Sequence, residues 1–236
     1  MSQVAIIGVV LLCVCSSSAS SAMLMIGGDE QPTPTASTTP TASTTPAAST
    51  TPAPSSTDSR ISKSTPENAF SGGSLIHLDR HDITCGASQG ISGFTLKKVG
   101  NDKMKYDYKC LDIPGGALGP RKDTGPNDWG NNAVIYLDRH HLDCGKNAIA
   151  EFGLYRPAGN KLSYEYKCSN QEAAGTCREV DAVSPTKTDK IKIDTLLDLN
   201  TECAKDEVMT KFRYYRAQPH TADETGAYKY TCCKLT

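Results

Sequence analysis

The sequence predicts an all-β fold: a pseudo-threefold domain of three repeats, β-prism-like with a β-trefoil as the alternative. It sits behind an N-terminal membrane segment and a disordered linker. Three observations predict it. A Cys…Phe…Tyr-x-Tyr-x-Cys unit recurs three times, polar and apolar residues alternate within each unit, and the cysteines fall in equivalent pairs.

The first copy runs from Leu75-Ile-His-Leu-Asp-Arg-His81 through Cys85, Phe94 and Leu96 to Tyr106-Asp-Tyr-Lys-Cys110. The second runs from Val134-Ile-Tyr-Leu-Asp-Arg-His140 through Cys144, Phe152 and Leu154 to Tyr164-Glu-Tyr-Lys-Cys168. The third starts in degenerate form at Ile191-Lys-Ile-Asp194, recovers at Cys203, Phe212 and Tyr214, and closes with Tyr228-Lys-Tyr-Thr-Cys232. The repeats span 74–112, 133–170 and 190–236. Met104, Tyr106, Tyr108 and Cys110 alternate with lysine and aspartate, as do Leu162, Tyr164, Tyr166 and Cys168 with Ser163, Glu165 and Lys167. Period two with one wet face is a strand half-buried in a sheet, and it makes the tyrosines core residues. Gly100-Asn101-Asp102 and Gly159-Asn160 are hairpin turns. Leu75–Leu78 and Val134–Leu137 are expected to add a strand each. The copies lie close to sixty residues apart, long for a trefoil, which favours the prism.

Cys85–Cys110, Cys144–Cys168 and Cys203–Cys232 are the simplest disulfides, because each joins equivalent positions of one copy. Cys232 is in phase with Tyr228 and Tyr230. Cys233 then faces outward and is left to meet Cys177. Eight cysteines allow 105 connectivities, so the repeat is what selects this one. There is no Cys-x-x-Cys, and adjacent cysteines suit zinc poorly, so no metal is expected.

The chain divides into residues 1–28, 29–73 and 74–236. Val4 to Ile26 is uncharged and long enough to cross a bilayer; Ser20-Ser21-Ala22 also fits a signal-peptidase site, so anchor and cleaved signal are both open. Gln31 to Thr57 repeats Ser-Thr-Thr-Pro with period six and has too few apolar residues to offset its ordering entropy. It reads as an extended spacer or an O-glycosylated stalk. No Asn-x-Ser/Thr sequon occurs.

The net charge of −1 argues against nucleic acid as a partner. No nucleophile elbow, phosphate loop, zinc-protease or dinucleotide glycine pattern occurs, so no catalytic residue, cofactor or enzymatic activity is expected. The polar motif to weigh is Asp79-Arg80-His81 with its second copy Asp138-Arg139-His140. On a strand, Asp and His two apart share a face and could grip a sugar or a metal; the competing reading is a structural network. Copy three has Asp194-Thr195-Leu196 in that place.

The apolar N-terminal run, the Ser/Ala tract, Gly27-Gly28-Asp29-Glu30, the Pro/Thr linker and the Cys-rich β repeat together resemble membrane-anchored minor capsid or virion proteins of large icosahedral DNA viruses. The resemblance implies residues 4–26 in an internal virion membrane, a β domain touching capsid or other surface proteins, and a linker setting the distance between them. It implies no catalytic residues. A secreted or cell-surface lectin binding glycans is the alternative.

Overall fold

The computed structural model describes residues 58–184, 193–197, 199–217 and 225–235, so the anchor or signal expected at 4–26 and most of the linker lie outside the described residues. The fold is all-β. In chain order the strands are β1 (Ile61–Ser64), β2 (Asn68–Ala69), β3 (Asp82–Thr84), β4 (Gln89–Val99), β5 (Lys103–Asp112), β6 (Leu118–Asp123), β7 (Asn127–Asp128), β8 (His141–Asp143), β9 (Asn147–Tyr155), β10 (Lys161–Glu172), β11 (Cys177–Val183), β12 (Asn200–Glu202), β13 (Glu207–Ala217) and β14 (Thr225–Lys234). Among the described residues no helix is long and apolar enough to cross a membrane.

Three antiparallel sheets are each centred on one long hairpin. Their orders are β1-β5-β4-β12, β6-β10-β9-β3 and β11-β14-β13-β8, with β2 also on β5 and β7 also on β10. The short strand at the end of each sheet comes from a different copy than the hairpin it joins. β3 of copy one pairs with β9 of copy two, β8 of copy two with β13 of copy three, and β12 of copy three with β4 of copy one. No copy completes a sheet by itself.

A β-bulge locks each exchange. The register shifts around Ser92, Ala150 and Thr210, leaving one residue of the long strand without a ladder partner. The freed carbonyl accepts the N–H of a cysteine from another copy: Cys203 to Ser92 at 2.8 Å, Cys85 to Ala150 at 3.0 Å and Cys144 to Thr210 at 3.0 Å. Three disulfides then tie each exchanged strand back to its own hairpin, Cys85–Cys110, Cys144–Cys168 and Cys203–Cys232. Each closes a loop of 24 to 29 residues, about 3–4 kcal/mol on the loop-entropy account.

The core begins with Phe94, Phe152 and Phe212, one from each hairpin. Their ring centroids are 5.1, 5.2 and 4.8 Å apart, so each touches both others. Tyr106, Tyr164 and Tyr228 form the next layer, edge-on at 6.0, 6.1 and 6.0 Å to the phenylalanine of their own hairpin. Burial raises all three phenols well above the usual tyrosine range, so they stay neutral. The alternation read from the sequence holds: Tyr106, Tyr108, Tyr164, Tyr166, Tyr228 and Tyr230 are all buried.

Four expectations change. Leu75–Leu78 and Val134–Leu137 are not strands; they lie in 3-10 helices, Leu75–Arg80 and Val134–Arg139. Leu75, Leu78 and His81, or Val134, Leu137 and His140, are buried and recur every three residues, with His77 buried beside them in copy one. That is the period of a 3-10 helix, in which i and i+3 eclipse. Residues 58–73, read as the end of the linker, carry β1 and β2 and edge the first sheet. The Gly/Pro-rich stretches 114–132 and 171–189, which the sequence offers as separators between the copies, likewise carry β6, β7 and β11.

The fourth correction concerns Cys233. It pairs with Cys177 as expected, but it is fully buried rather than outward-facing. Its side of the sheet meets a second, smaller core with Leu111, Ile113, Ala148, Ala173 and Val208. The three hairpins converge so tightly there that a Cβ on Gly90 would lie 2.6 Å from the Ala148 Cβ and 3.0 Å from Val208.

Candidate functional site

The Asp-Arg-His motif lies where a 3-10 helix passes into an exchanged strand, and its residues are drawn apart. Asp79 Oδ2 takes Arg156 Nε at 2.5 Å, from the hairpin of copy two. Asp138 Oδ2 takes Arg216 Nε at 3.2 Å, from the hairpin of copy three. Arg80 is exposed, while the Arg139 guanidinium lies 4.2 Å above the Tyr136 ring. Each arginine that reaches an aspartate stands four residues after the core phenylalanine of its hairpin.

The histidines point inward. His81 Nδ1 is 2.8 Å from Thr65 Oγ1, and His140 Nδ1 is 2.7 Å from Thr124 Oγ1. Each threonine oxygen already accepts a backbone N–H, from Tyr106 or Tyr164, at 3.0 Å. The hydroxyl keeps its proton and a second lone pair, so it pairs with the neutral ring in either tautomer. Burial, with the adjacent Arg139 charge, lowers the His140 imidazole to about 4, and burial with Arg80 lowers His81 as well. Tyr106 and Tyr164 close over these rings edge-on at 5.9 Å. Aspartate and histidine thus serve separate structural contacts and do not converge on one ligand.

Copy three confirms the division of labour by losing both halves together. Counting back from the first cysteine of each copy, Leu197 and Leu199 stand where Asp79 and His81 do, a correction of three residues to the alignment on Asp194-Thr195-Leu196. Leu199 is buried in the place of the imidazole. The residue four after Phe94 is Lys98, not arginine, and its ammonium lies 4.8 Å above the Phe70 ring.

Among the described residues the acid and sulfur groups that gather closely enough for a metal are Cys203, Glu207 and Cys232. Both sulfurs are joined in a disulfide. Glu207 accepts Arg178 Nη2–H at 2.7 Å and the Ala204 N–H at 3.0 Å. The cluster is a braced corner of the fold.

Among the described residues, one surface feature with ligand-sized dimensions is a groove of about 460 Å³ on the outer face of the first sheet. Its floor is Gly93, where a Cβ would come within 2.4 Å of the Thr201 carbonyl oxygen. Ser64 and Asp107 line one side, with Ser64 Oγ donating to Asp107 at 2.7 Å. Thr95 and Asn200, hydrogen-bonded to each other, line the floor toward β12. Glu202 closes the far wall, bridged to Lys109 at 2.5 Å and Arg60 at 3.1 Å. The side chains alternate hydroxyl, amide, carboxylate and amine, which suits a ligand rich in hydroxyls. The same face of the second sheet holds a smaller groove of about 270 Å³ beside the exposed Tyr155. Lys105, Asp107 and Lys109 were legible as a wet face from their alternation. Their neighbours on β1 and β12 were not, because those strands come from the linker and from copy three.

No protein-family model, curated protein or solved structure matches this chain.

Proposed function

We propose that this protein is a non-enzymatic structural or interaction module, tethered to a membrane through residues 4–26 and held off it by the Pro/Thr spacer. Its setting is the virion of a large DNA virus, as a minor capsid component between internal membrane and capsid. The observation that carries the non-enzymatic reading is the fate of the Asp-Arg-His motif, whose carboxylates pair with arginines of another copy and whose imidazoles are buried against a threonine and a tyrosine. Four disulfides favour an oxidising environment or an extracytoplasmic site of folding. The exchange of edge strands around three hairpins, with three phenylalanines in mutual contact, supports the β-prism-like, pseudo-threefold architecture over a trefoil. Such a body is a rigid spacer with three polar faces.

Carbonate extraction and cross-linking of purified particles test this reading. The protein is expected to stay with membrane until detergent is added and to cross-link to capsid protein through residues 58–236. Release by carbonate alone, or absence from particles, would refute it.

The groove on the first sheet favours a second reading, a carbohydrate-binding surface protein. A glycan array with the full-length chain distinguishes the two. Specific binding lost in Asn200→Ala and Asp107→Ala, and unchanged in Asp138→Ala, would establish the lectin and locate its site.

A further inference from the structure

Seven of the eight cysteines in the described residues are buried, and Cys177 is exposed. The disulfide it forms also differs in placement. The three repeat disulfides join Cα atoms 5.5, 5.6 and 5.6 Å apart, near the commonest spacing. Cys177 and Cys233 face each other directly across the antiparallel pair β11–β14. Facing residues in such a pair usually lie about 4.5–5.5 Å apart, and here the Cα separation is 4.0 Å, below the range normal for a disulfide. A bridge held outside its preferred spacing is easier to reduce, and Cys177, an exposed residue on an edge strand, is the half of it that a thiolate can approach.

We propose that Cys177–Cys233 is the thiol-exchange site of this protein, open to an external thiolate while the three repeat disulfides stay closed. The attacking thiolate forms a new S–S bond with Cys177 Sγ. The Cys177–Cys233 bond breaks, and Cys233 leaves with the electron pair as a thiolate. Thr210 Oγ1 lies 3.5 Å from that sulfur and can donate to it. One disulfide has replaced another and no further oxidant is consumed; Cys233 then takes a proton from water. A second equivalent of thiol would release Cys177 as a free thiol. The choice of sulfur follows from access, because Cys233 is fully buried in the second core.

The fold around the bridge can survive its opening. β11 pairs with β14 at seven register positions. Gly175 and Lys234 add hydrogen bonds of 3.0 and 3.1 Å beyond the cysteines, and Val180 and Ala182 pack against the main core. The product is a folded domain carrying a covalently addressable sulfur on an edge strand. The inference stands apart from which partner the module contacts.

The experiment is graded treatment of the full chain with reduced glutathione at pH 8, quenching with excess N-ethylmaleimide in denaturant so that buried thiols are labelled, and peptide mass mapping. Glutathione on Cys177 with maleimide on Cys233 is expected at concentrations about tenfold or more below those that modify any other cysteine, with an unchanged far-ultraviolet dichroism spectrum. Modification of any repeat disulfide first or at the same concentration would overturn the proposal. So would glutathione carried by Cys233 in place of Cys177, or loss of the dichroism spectrum at the lowest effective concentration. The double variant Cys177→Ser, Cys233→Ser is expected to lack the early modification and keep the other three bridges. Should that variant misfold, the wild-type map decides alone.

Discussion

Replacing His140 with leucine should remove a defined part of the acid sensitivity of the fold. Leu199 already occupies the corresponding place in copy three, so the interior accepts that side chain. In wild type the buried imidazole titrates at about 4, against about 6.5 in an unfolded chain. Between these values the unfolded state binds the proton and the folded state does not. The stability from the neutral ring is therefore intact above pH 6.5 and is lost as pH falls toward 4. Each pH unit between the two is worth about 1.4 kcal/mol, so about 3 kcal/mol is gone by pH 4. His81 moves in the same direction, and Glu202, held low by Lys109, also loses stability in acid. Both are present in wild type and variant and cancel in the difference. Urea unfolding followed by dichroism at pH 7.5 and pH 4 measures it. The variant should lose about 3 kcal/mol less than wild type between the two pH values. Equal losses in the two proteins would show that His140 is not held neutral in the interior.

Other outcomes follow from the same geometry. Phe212→Ala opens a cavity where three hairpins meet and should cost about 3–5 kcal/mol by urea midpoint. Gly93→Ala drives a methyl into the Thr201 carbonyl, 2.4 Å from the ideal Cβ. It should cost about 1–3 kcal/mol and selectively raise amide exchange in β12 and the facing part of β4. Removing Cys203 and Cys232 together releases a loop of 29 residues and should cost about 3–4 kcal/mol in thermal or urea unfolding. Asp79→Asn loses an ion pair whose arginine is half exposed. It should change stability by no more than about 1 kcal/mol, a value that would be much larger if Asp79 were part of a buried ligand site.

How far the sequence carries can be judged residue by residue. The tyrosines on alternate positions and the phenylalanine after each first cysteine were legible as core, because a half-buried strand imposes period two. The repeat disulfides were legible because equivalent positions in a repeat see equivalent surroundings. The threonine partners of the histidines left a trace as well: Thr65 and Thr124 each precede their histidine by 16 residues. The 3-10 segments were misread as strands. Four apolar-leaning residues do not separate period two from period three, and the deciding residue in each case was a histidine.

By itself, then, the chain determined its β class, its threefold repetition, its three repeat disulfides and which tyrosines go inside, all of which are marked by spacing and alternation within one copy. Only the tertiary structure decided that each copy lends a strand to another. The same holds for the aspartates bridging copies, the exposure of Cys177 with Cys233 buried, and the groove between β1 and β12. These depend on which edges meet when three hairpins close around shared phenylalanines. Pairing between distant edges is chosen by the packing of the whole and leaves no periodic mark in any one segment.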